Sequence, residues 1–590
     1  MKVYKKKRSD PARWIRFRII LVGAALALGL GVVMARAVQL QVLHRGELSE
    51  KAASQYKHAL QKSPRRGTIY DANNQELAVS VEVSSICAYP RRIRSPKKSA
   101  SALARTLKLP RAAVQKKLCS RKSFVWIKRK ASPKEAAAVK SLKLAGIDFI
   151  TESRRFYPMK TLAAQVLGFC GTDGRGLEGL EYYYDPFLSG REDQWMVFKD
   201  ALGRPFKTES ASPAIQDGYN LILTIDKTIE DIAERALCET VERFSAKSAI
   251  AVVMEPKTGA VLAIAHAPRF NPNSFKHYEP WIRRNRAITD TFEPGSTFKI
   301  FLGAAALESG RIRPGSLFDC EQGRYQVGAN VIHDVHAFGA LSFEDVLKFS
   351  SNIGAAKIGA AIGAESFYQT LKAFGFGSRT GIDCPGESPG CLPPPERWSD
   401  MDALAICFGQ GVSVSALQLA TAVCAAANGG VLMRPYLVQA MTDAKGRLVK
   451  SFQPAKVGRA ISSKAACNLV HMLERVVAKG GTGQKAALSG YRVAGKTGTA
   501  QKVDLATRRY ARNKHVAAFT GFVPSRDPAL AIVVVVDEPK KSPYGGVVAA
   551  PAFRRIAEEA LQYLKVPPEL VIPEQEVPSI KASRGEQWAG

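Results

Sequence analysis

A chain of 590 residues is too long for one hydrophobic core, so several domains are expected. Apolar residues make up 46% of it, which supports globular folding and argues against a disordered polymer. Lys and Arg outnumber Asp and Glu by 85 to 52, a net charge of +33 that suits nucleic acid, an anionic membrane or an acidic polymer; no helix-turn-helix, zinc-finger or RNA-binding signature accompanies it, which leaves a membrane or envelope partner as the simpler reading.

Residues 1–18 form a basic tail in which Lys2, Lys5, Lys6, Lys7, Arg8, Arg13, Arg16 and Arg18 face one acid, Asp10. Residues 19–35, IILVGAALALGLGVVMA, carry no charge, and apolar character resumes beyond Arg36 to about Leu43. This is close to the ~20 residues that span a bilayer. The basic flank comes first, so the N-terminus is expected in the cytoplasm and the bulk outside it. Ala35-Arg36-Ala37 resembles a signal cleavage site, but the run exceeds the ~7–15 residues of a signal core, so an uncleaved anchor over 19–43 is expected.

Residues 44–225 read as short strand-like runs with Gly-rich turns and a helix-rich basic insert around 97–145. A loop-like stretch, 207–218, leads to the next region. That region, 226–565, opens with the strand LILTID and the helix IEDIAERALCETVERF, and closes with the helix PAFRRIAEEALQYL. Residues 566–590 are Pro-rich and polar, the composition of a flexible tail.

Three short motifs fall inside the second region. Ser-x-x-Lys also starts at Ser54 and Ser95, both in polar or charged runs, but Ser296-Thr-Phe-Lys299 follows Glu293-Pro-Gly and opens an apolar run that stops at Gly310. Pro and Gly before, an apolar face within and Gly after predict a helix. Ser296 then lies in its first turn, with Lys299 on the same face. Ser350-Ser-Asn352 supplies a second hydroxyl and an amide. Lys-Thr-Gly occurs twice: Lys257 sits in a predicted hairpin turn, whereas Lys496-Thr497-Gly498-Thr499 sits in a strand with an accessible edge. The apolar run 529–536 predicts a central strand beside it, and Gly498 would let a ligand backbone approach closely.

Together the motifs supply a nucleophile, a base, a proton relay and an anion-binding strand. Serine is a weak nucleophile until a base takes its proton. Lys299 can be that base only when neutral, which requires a depressed pKa, and Lys496 is the neighbouring cation that would help. The histidines make no persuasive triad with Ser296, and His515 reads as a core or surface residue. Glu387, in a Pro-Gly-Glu loop, is open either as a turn residue or as a base for deacylation. Ten cysteines without a Cys-x-x-Cys argue against a zinc site. Cys384 and Cys391 bracket a short Pro- and Gly-containing loop, and either a loop-closing disulfide or two free thiols is open there.

The set of three motifs is the one used by penicillin-binding proteins and class A β-lactamases. With them stand RRGTIYDANNQELA (65–78), RRFYP (154–158), GLEGLE (176–181), NRAITDTFEPGSTFK (285–299), FGFGSRTGIDCPGE (374–387), FGQGVSVSALQLATA (408–422), KGGTGQKA (479–486) and AGKTGTAQK (494–502). Over roughly residues 36 to 565 the chain resembles a class B penicillin-binding protein, a membrane-anchored peptidoglycan D,D-transpeptidase, and it is more similar to the septal type than to the elongation type. Asn74 departs from the family's usual Gly, as does Lys160 after Tyr157-Pro158.

The resemblance implies a multidomain α/β (α+β) chain: a single transmembrane helix, an elongated β-rich pedestal (44–225) and a transpeptidase domain (226–565) whose antiparallel sheet is flanked by helices, as in serine β-lactamases. It implies that Ser296 attacks the penultimate D-Ala carbonyl of a stem pentapeptide. Ser350, held by Asn352 and Lys496, would relay a proton to the departing D-Ala. Thr497 and Thr499 would bind the terminal carboxylate, with the N–H groups of Ser296 and Thr499 as the oxyanion hole. The peptide would add as a strand to the edge carrying Lys496. No cofactor and no metal are implied. The implied partners are stem peptides, β-lactams, membrane lipid around the N-terminal helix, a membrane-embedded glycan polymerase and other division proteins, with the chain single-pass in the bacterial inner membrane. A hydrolase with the same site, either a carboxypeptidase or a β-lactamase, and a catalytically idle scaffold are the competing readings.

Overall fold

The computed structural model describes residues 11–39, 64–190, 198–199, 205–206, 216–504 and 509–570. The chain divides into two compact units, one comprising 1–63 with 191–216 and the other 64–190 with 217–590. In the first unit, helix α1 (Pro11–Val38) contains a stretch, Phe17–Val38, of 22 residues with mean hydropathy 2.3, long and apolar enough to cross a membrane. The helix is apolar all round its span, the pattern of a lipid-facing helix and not of one half-buried on a protein. The predicted anchor ran to residue 43, and 40–43 lie outside the described residues, as do 1–10, most of the loop 207–218 and 571–590 of the tail.

The second unit begins with β1 (Ile69–Tyr70) and the long β2 (Glu76–Ala88). The basic insert follows as α2 (Pro96–Leu107), α3 (Arg111–Leu118), β3 (Val125–Lys128) and α4 (Pro133–Ser141), then β4 (Ile147–Phe156) returns along β2. Leu103, Leu107, Val114, Leu118, Ile127 and Val139 give this insert a core of its own. Ser132 caps α4 through a reciprocal bond with Glu135, the capping-box arrangement that satisfies two free helix N–H groups.

The next elements are β5 (Asn220–Leu223), α5 (Lys227–Phe244), β6 (Ser248–Met254) and β7 (Val261–Ala267). Then come α6 (Lys299–Glu308), the hairpin β8 (Arg324–Val327) and β9 (Asn330–His333), α7 (Asn352–Ile362) and α8 (Ala416–Ala427). Strands β10 (Val438–Thr442) and β11 (Leu448–Ser451) precede α9 (Ser463–Val477). The chain ends in β12 (Ala494–Asp504), β13 (Arg509–Val523), β14 (Leu530–Asp537) and α10 (Gly545–Tyr563).

Two sheets result. One is mixed, in the order β11-β10-β5-β1-β2-β3 with β4 also on β2, and it joins strands from both sides of residue 225. The other is fully antiparallel, in the order β7-β6-β14-β13-β12. Its central strands are buried on both faces. Ala249, Ala251 and Val253 of β6 pack with Ile229 and Leu237 of α5 and Phe553 of α10, while Ile250, Val252 and Met254 meet Leu302 of α6 and Val423 of α8. That two-sided burial is why β6 and β14 read as unbroken apolar runs instead of alternating ones. The sheet between helices is the expected one, with β14 central and β12 at an edge. Helix α10 starts at Gly545, six residues ahead of the Pro551 at which the sequence pattern opens, so Pro551 lies inside the helix, where it removes one i→i−4 hydrogen bond.

Three of the segments that carry the resemblance, 65–78, 154–158 and 176–181, meet in one buried cluster. Glu181 is fully buried and accepts from Arg66 Nε at 2.6 Å and Arg155 Nε at 2.5 Å, with the Tyr157 hydroxyl 3.2 Å away. Burial alone would raise the Glu181 carboxyl, but Arg155 and Arg66 outweigh it and hold the group down at about 2.

Candidate active site

Ser296 sits in a 3-10 turn, Gly295–Phe298, directly in front of α6, whose first residue is Lys299. The sequence pattern placed Ser296 in the first α-turn. The tighter turn arises because Gly295 has φ +53° and the Thr297 hydroxyl donates back to the Pro294 carbonyl at 2.7 Å. Phe298 and Phe301 lock this turn into the core through ring contacts with Phe376, a tilted one at 5.0 Å and an edge-on one at 4.8 Å between centroids. The Ser296 residue itself is half-buried and Lys299 is fully buried.

Lys299 Nζ donates to the Ser350 carbonyl at 2.7 Å, to Asn352 Oδ1 at 2.8 Å and, more distantly, to Ser350 Oγ at 3.4 Å. Ser350 ends the helix Phe343–Phe349 in the left-handed region, φ +63°, and Ser351 caps α7 by accepting from the Gly354 N–H at 2.9 Å. From the edge strand β12, Lys496 Nζ donates to the same Ser350 Oγ at 2.9 Å. Two ammonium groups thus share one hydroxyl. Burial lowers Lys299 to about 7. Burial and the charge of Lys299 lower Lys496 well below its ordinary value.

The β12 edge touches the Ser296 turn closely. A Cβ on Gly498 would lie 2.7 Å from Thr297 Cγ2, and one on Gly295 would lie 2.8 Å from the Thr499 carbonyl. Thr497 Oγ1 donates to Thr482 Oγ1 at 3.1 Å, and Thr499 Oγ1 accepts from the N–H of Gly545 at the start of α10 at 3.2 Å. All eight candidate residues therefore lie on the Ser296 turn, the 350–352 turn and β12, three elements in direct contact. Sequence reading missed Thr482, Gly409 and Asp334. Gly409 accepts from the Gly295 N–H at 3.1 Å, and Asp334 accepts from the N–H groups of Asn352 and Ile353. Thr482 and Gly409 lie in segments already singled out, but Asp334 belongs to no motif.

The penicillin binding protein transpeptidase domain matches residues 249–558, and the penicillin-binding protein dimerisation domain matches 61–223. The chain belongs to the class B penicillin-binding proteins. It is 34% identical to the peptidoglycan D,D-transpeptidase FtsI of Escherichia coli K12 over 572 residues, covering 96% of this chain and 95% of that one. It is 35% identical to the stage V sporulation protein D of Bacillus subtilis over 560 residues, covering 93% and 86%. The structure is similar to that of penicillin binding protein 3 of Mycobacterium tuberculosis complexed with aztreonam, with TM-score 0.67 and 27% identity over 86% of this chain and 97% of that one.

Glu387 is a turn residue: its carboxylate accepts from the Thr380 N–H, from the Thr380 hydroxyl at 2.6 Å and from the Gly381 N–H at 3.1 Å. His515 lies on β13 opposite Gln501, half-buried. The disulfide raised for Cys384 and Cys391 is not formed: both are free, Cys384 buried in the core and Cys391 exposed on a bridge to Ser413. Asn74 and Lys160, the two departures from family glycines, both have left-handed backbones, φ +60° and +56°. The position keeps the geometry that glycine serves, and Asn tolerates it better than Lys.

Proposed function

We propose that this chain is a serine D,D-transpeptidase that cross-links peptidoglycan stem peptides during cell division. The observation that carries the reading is the Ser350 hydroxyl held between two buried lysines, beside the turn that carries Ser296. Neutral Lys299 takes the Ser296 proton, and Oγ bonds to the penultimate D-Ala carbonyl carbon. The oxyanion points at the N–H groups of Ser296 and Thr499. As the peptide C–N bond breaks, Ser350 passes a proton to the leaving D-Ala and is reprotonated from the lysines, with Asn352 orienting Lys299. Thr497 and Thr499 bind the terminal carboxylate across Gly498. The amine of a second stem peptide then attacks the ester, gives up its proton along the same relay and restores Ser296.

No metal or cofactor enters this scheme, and β-lactams acylate the same serine. The edge position of β12 supports binding of the stem peptide as an added strand. We assign residues 1–18 to a cytoplasmic tail, 19–43 to the anchor, 44–225 to the pedestal, 226–565 to the transpeptidase domain and 566–590 to a tail; the two family matches support this division. The apolar helix after a basic flank supports an inner-membrane, N-in orientation with lipid around α1. The glycan comes from a separate membrane-embedded polymerase acting with other division proteins.

The test is covalent labelling of the full-length protein in detergent by a fluorescent penicillin, beside Ser296→Ala. A stable labelled band lost in the variant is expected. A folded parent that takes no label would remove the mechanism and favour the scaffold reading, and rapid loss of the label would favour a β-lactamase.

A further inference from the structure

We infer that Asp334 is the positioning residue that sets the reactive geometry of Ser350 and Asn352. The inference rests on the transpeptidase reading above. Ser350 holds a left-handed backbone, φ +63°, that L side chains rarely adopt, so its neighbours must hold it there. The next three residues are all tied to one carboxylate. Asp334 Oδ2 accepts from the Ser351 hydroxyl at 2.5 Å, and Oδ1 accepts from the N–H groups of Asn352 and Ile353, the latter at 3.1 Å. A carboxylate at the first N–H groups of α7 also suits the positive end of that helix.

The preceding residue finishes the alignment. The His333 carbonyl accepts from Asn352 Nδ2 at 3.0 Å, which turns Oδ1 toward Lys299 Nζ, 2.8 Å away. Both residues come from the end of the β8–β9 hairpin. That hairpin is fixed by Ile332, packed with Cys320, Ile353, Ala356 and Phe408, and by the Asp334 N–H to the Gly323 carbonyl at 3.1 Å. The hairpin is thus a built support whose open end grips the second motif.

Charge gives Asp334 a second effect. Burial lowers Lys299, and Asp334, Cys320 and Cys407 act against it as groups that favour its protonated form. Asp334 is the carboxylate among them, so it keeps Lys299 from falling further.

The test compares full-length Asp334→Asn, Asp334→Glu and Ile332→Ala with the parent, reading the second-order rate of acylation by a fluorescent penicillin against pH. Active-site titration and Tm are recorded for each. Asp334→Asn is expected to lower the rate by about 10- to 100-fold, as small misplacements of reacting groups do. It should also move the acid limb of the profile to lower pH, because a negative charge near Lys299 has gone. Asp334→Glu keeps the charge, so its limb stays while its rate falls. Ile332→Ala loosens the hairpin and leaves the limb in place, which separates the effect of Asp334 from general loosening. An Asp334→Asn protein with the parent's rate and limb would overturn the inference, as would a loss explained by the folded fraction alone with an unmoved limb. Where Asp334→Asn does not fold, Asp334→Glu decides: the parent's rate would overturn it. Failure of the parent to label overturns the proposed function instead, so the two failures are distinguishable.

Discussion

Lys496 Nζ lies 2.9 Å from Ser350 Oγ, although 146 positions separate the two residues in the chain. Lys299 approaches the same residue from α6. Bringing two ammonium groups to one hydroxyl inside the fold disfavours charging both. The arrangement therefore makes a neutral lysine available near neutral pH, which a solvated lysine would not be.

Acylation should follow that titration. Lys299 acts as base only when neutral, and burial lowers it from its ordinary value to about 7. The rate of penicillin acylation should therefore climb as pH rises through about 7. Lys299→Met should lose this limb and about 10²- to 10⁴-fold in rate, the usual contribution of a positioned base. Stopped-flow acylation across pH 5–9, a window of about two units either side of that value, checks both. A parent rate flat across the window would remove Lys299 as the base.

Close backbone contact should make Gly409 intolerant of a side chain. It has φ +79°, and a Cβ there would lie 2.2 Å from the Gly295 carbonyl oxygen. Gly409→Ala should cost about 1–3 kcal/mol through strain and displace the Ser296 turn. Thermal unfolding and penicillin labelling together read this, and an alanine variant with parental Tm and labelling would contradict it.

The opposite change should help at Lys160, which is exposed with φ +56°. Lys160→Gly removes the left-handed penalty at the cost of some extra unfolded-state freedom. A gain of about 0.5–1 kcal/mol is expected, with acylation unchanged. Denaturant unfolding of the two proteins measures it.

The buried Arg66–Glu181–Arg155 cluster should be far more sensitive. Arg155→Ala leaves Glu181 buried with one partner fewer and should cost about 3–5 kcal/mol. Glu181 is depressed from its ordinary 4.5 to about 2. Its contribution is therefore complete above about 4.5 and is lost as pH falls toward about 2. Stability profiles of parent and Arg155→Ala should converge over that acid range.

The local chemistry of this protein was legible in the chain. The motifs around Ser296, Ser350 and Lys496, the apolar span in α1 and the helix-rich insert follow from residue type and period, which are local properties, whereas the antiparallel sheet between helices was implied by the family resemblance. Glu387 as a turn residue was favoured by the family resemblance, which places its segment in a loop. What sequence could not decide was contact between distant segments. Ser296 proved to lie in a 3-10 turn because Gly295 must pass under the carbonyl of Thr499. Strands on both sides of residue 225 share a sheet, since hydrogen-bond partners in a sheet need not be near in sequence. Cys384 and Cys391 lie seven positions apart, yet one side chain is in the core and the other in solvent. Asp334 carries no motif, because its role depends on a hairpin folding back onto the start of α7. The sequence determined which groups this protein has; only the tertiary structure decided which of them share a hydroxyl, a carboxylate or a buried charge, because those interactions act through a few ångströms of space and not along the chain.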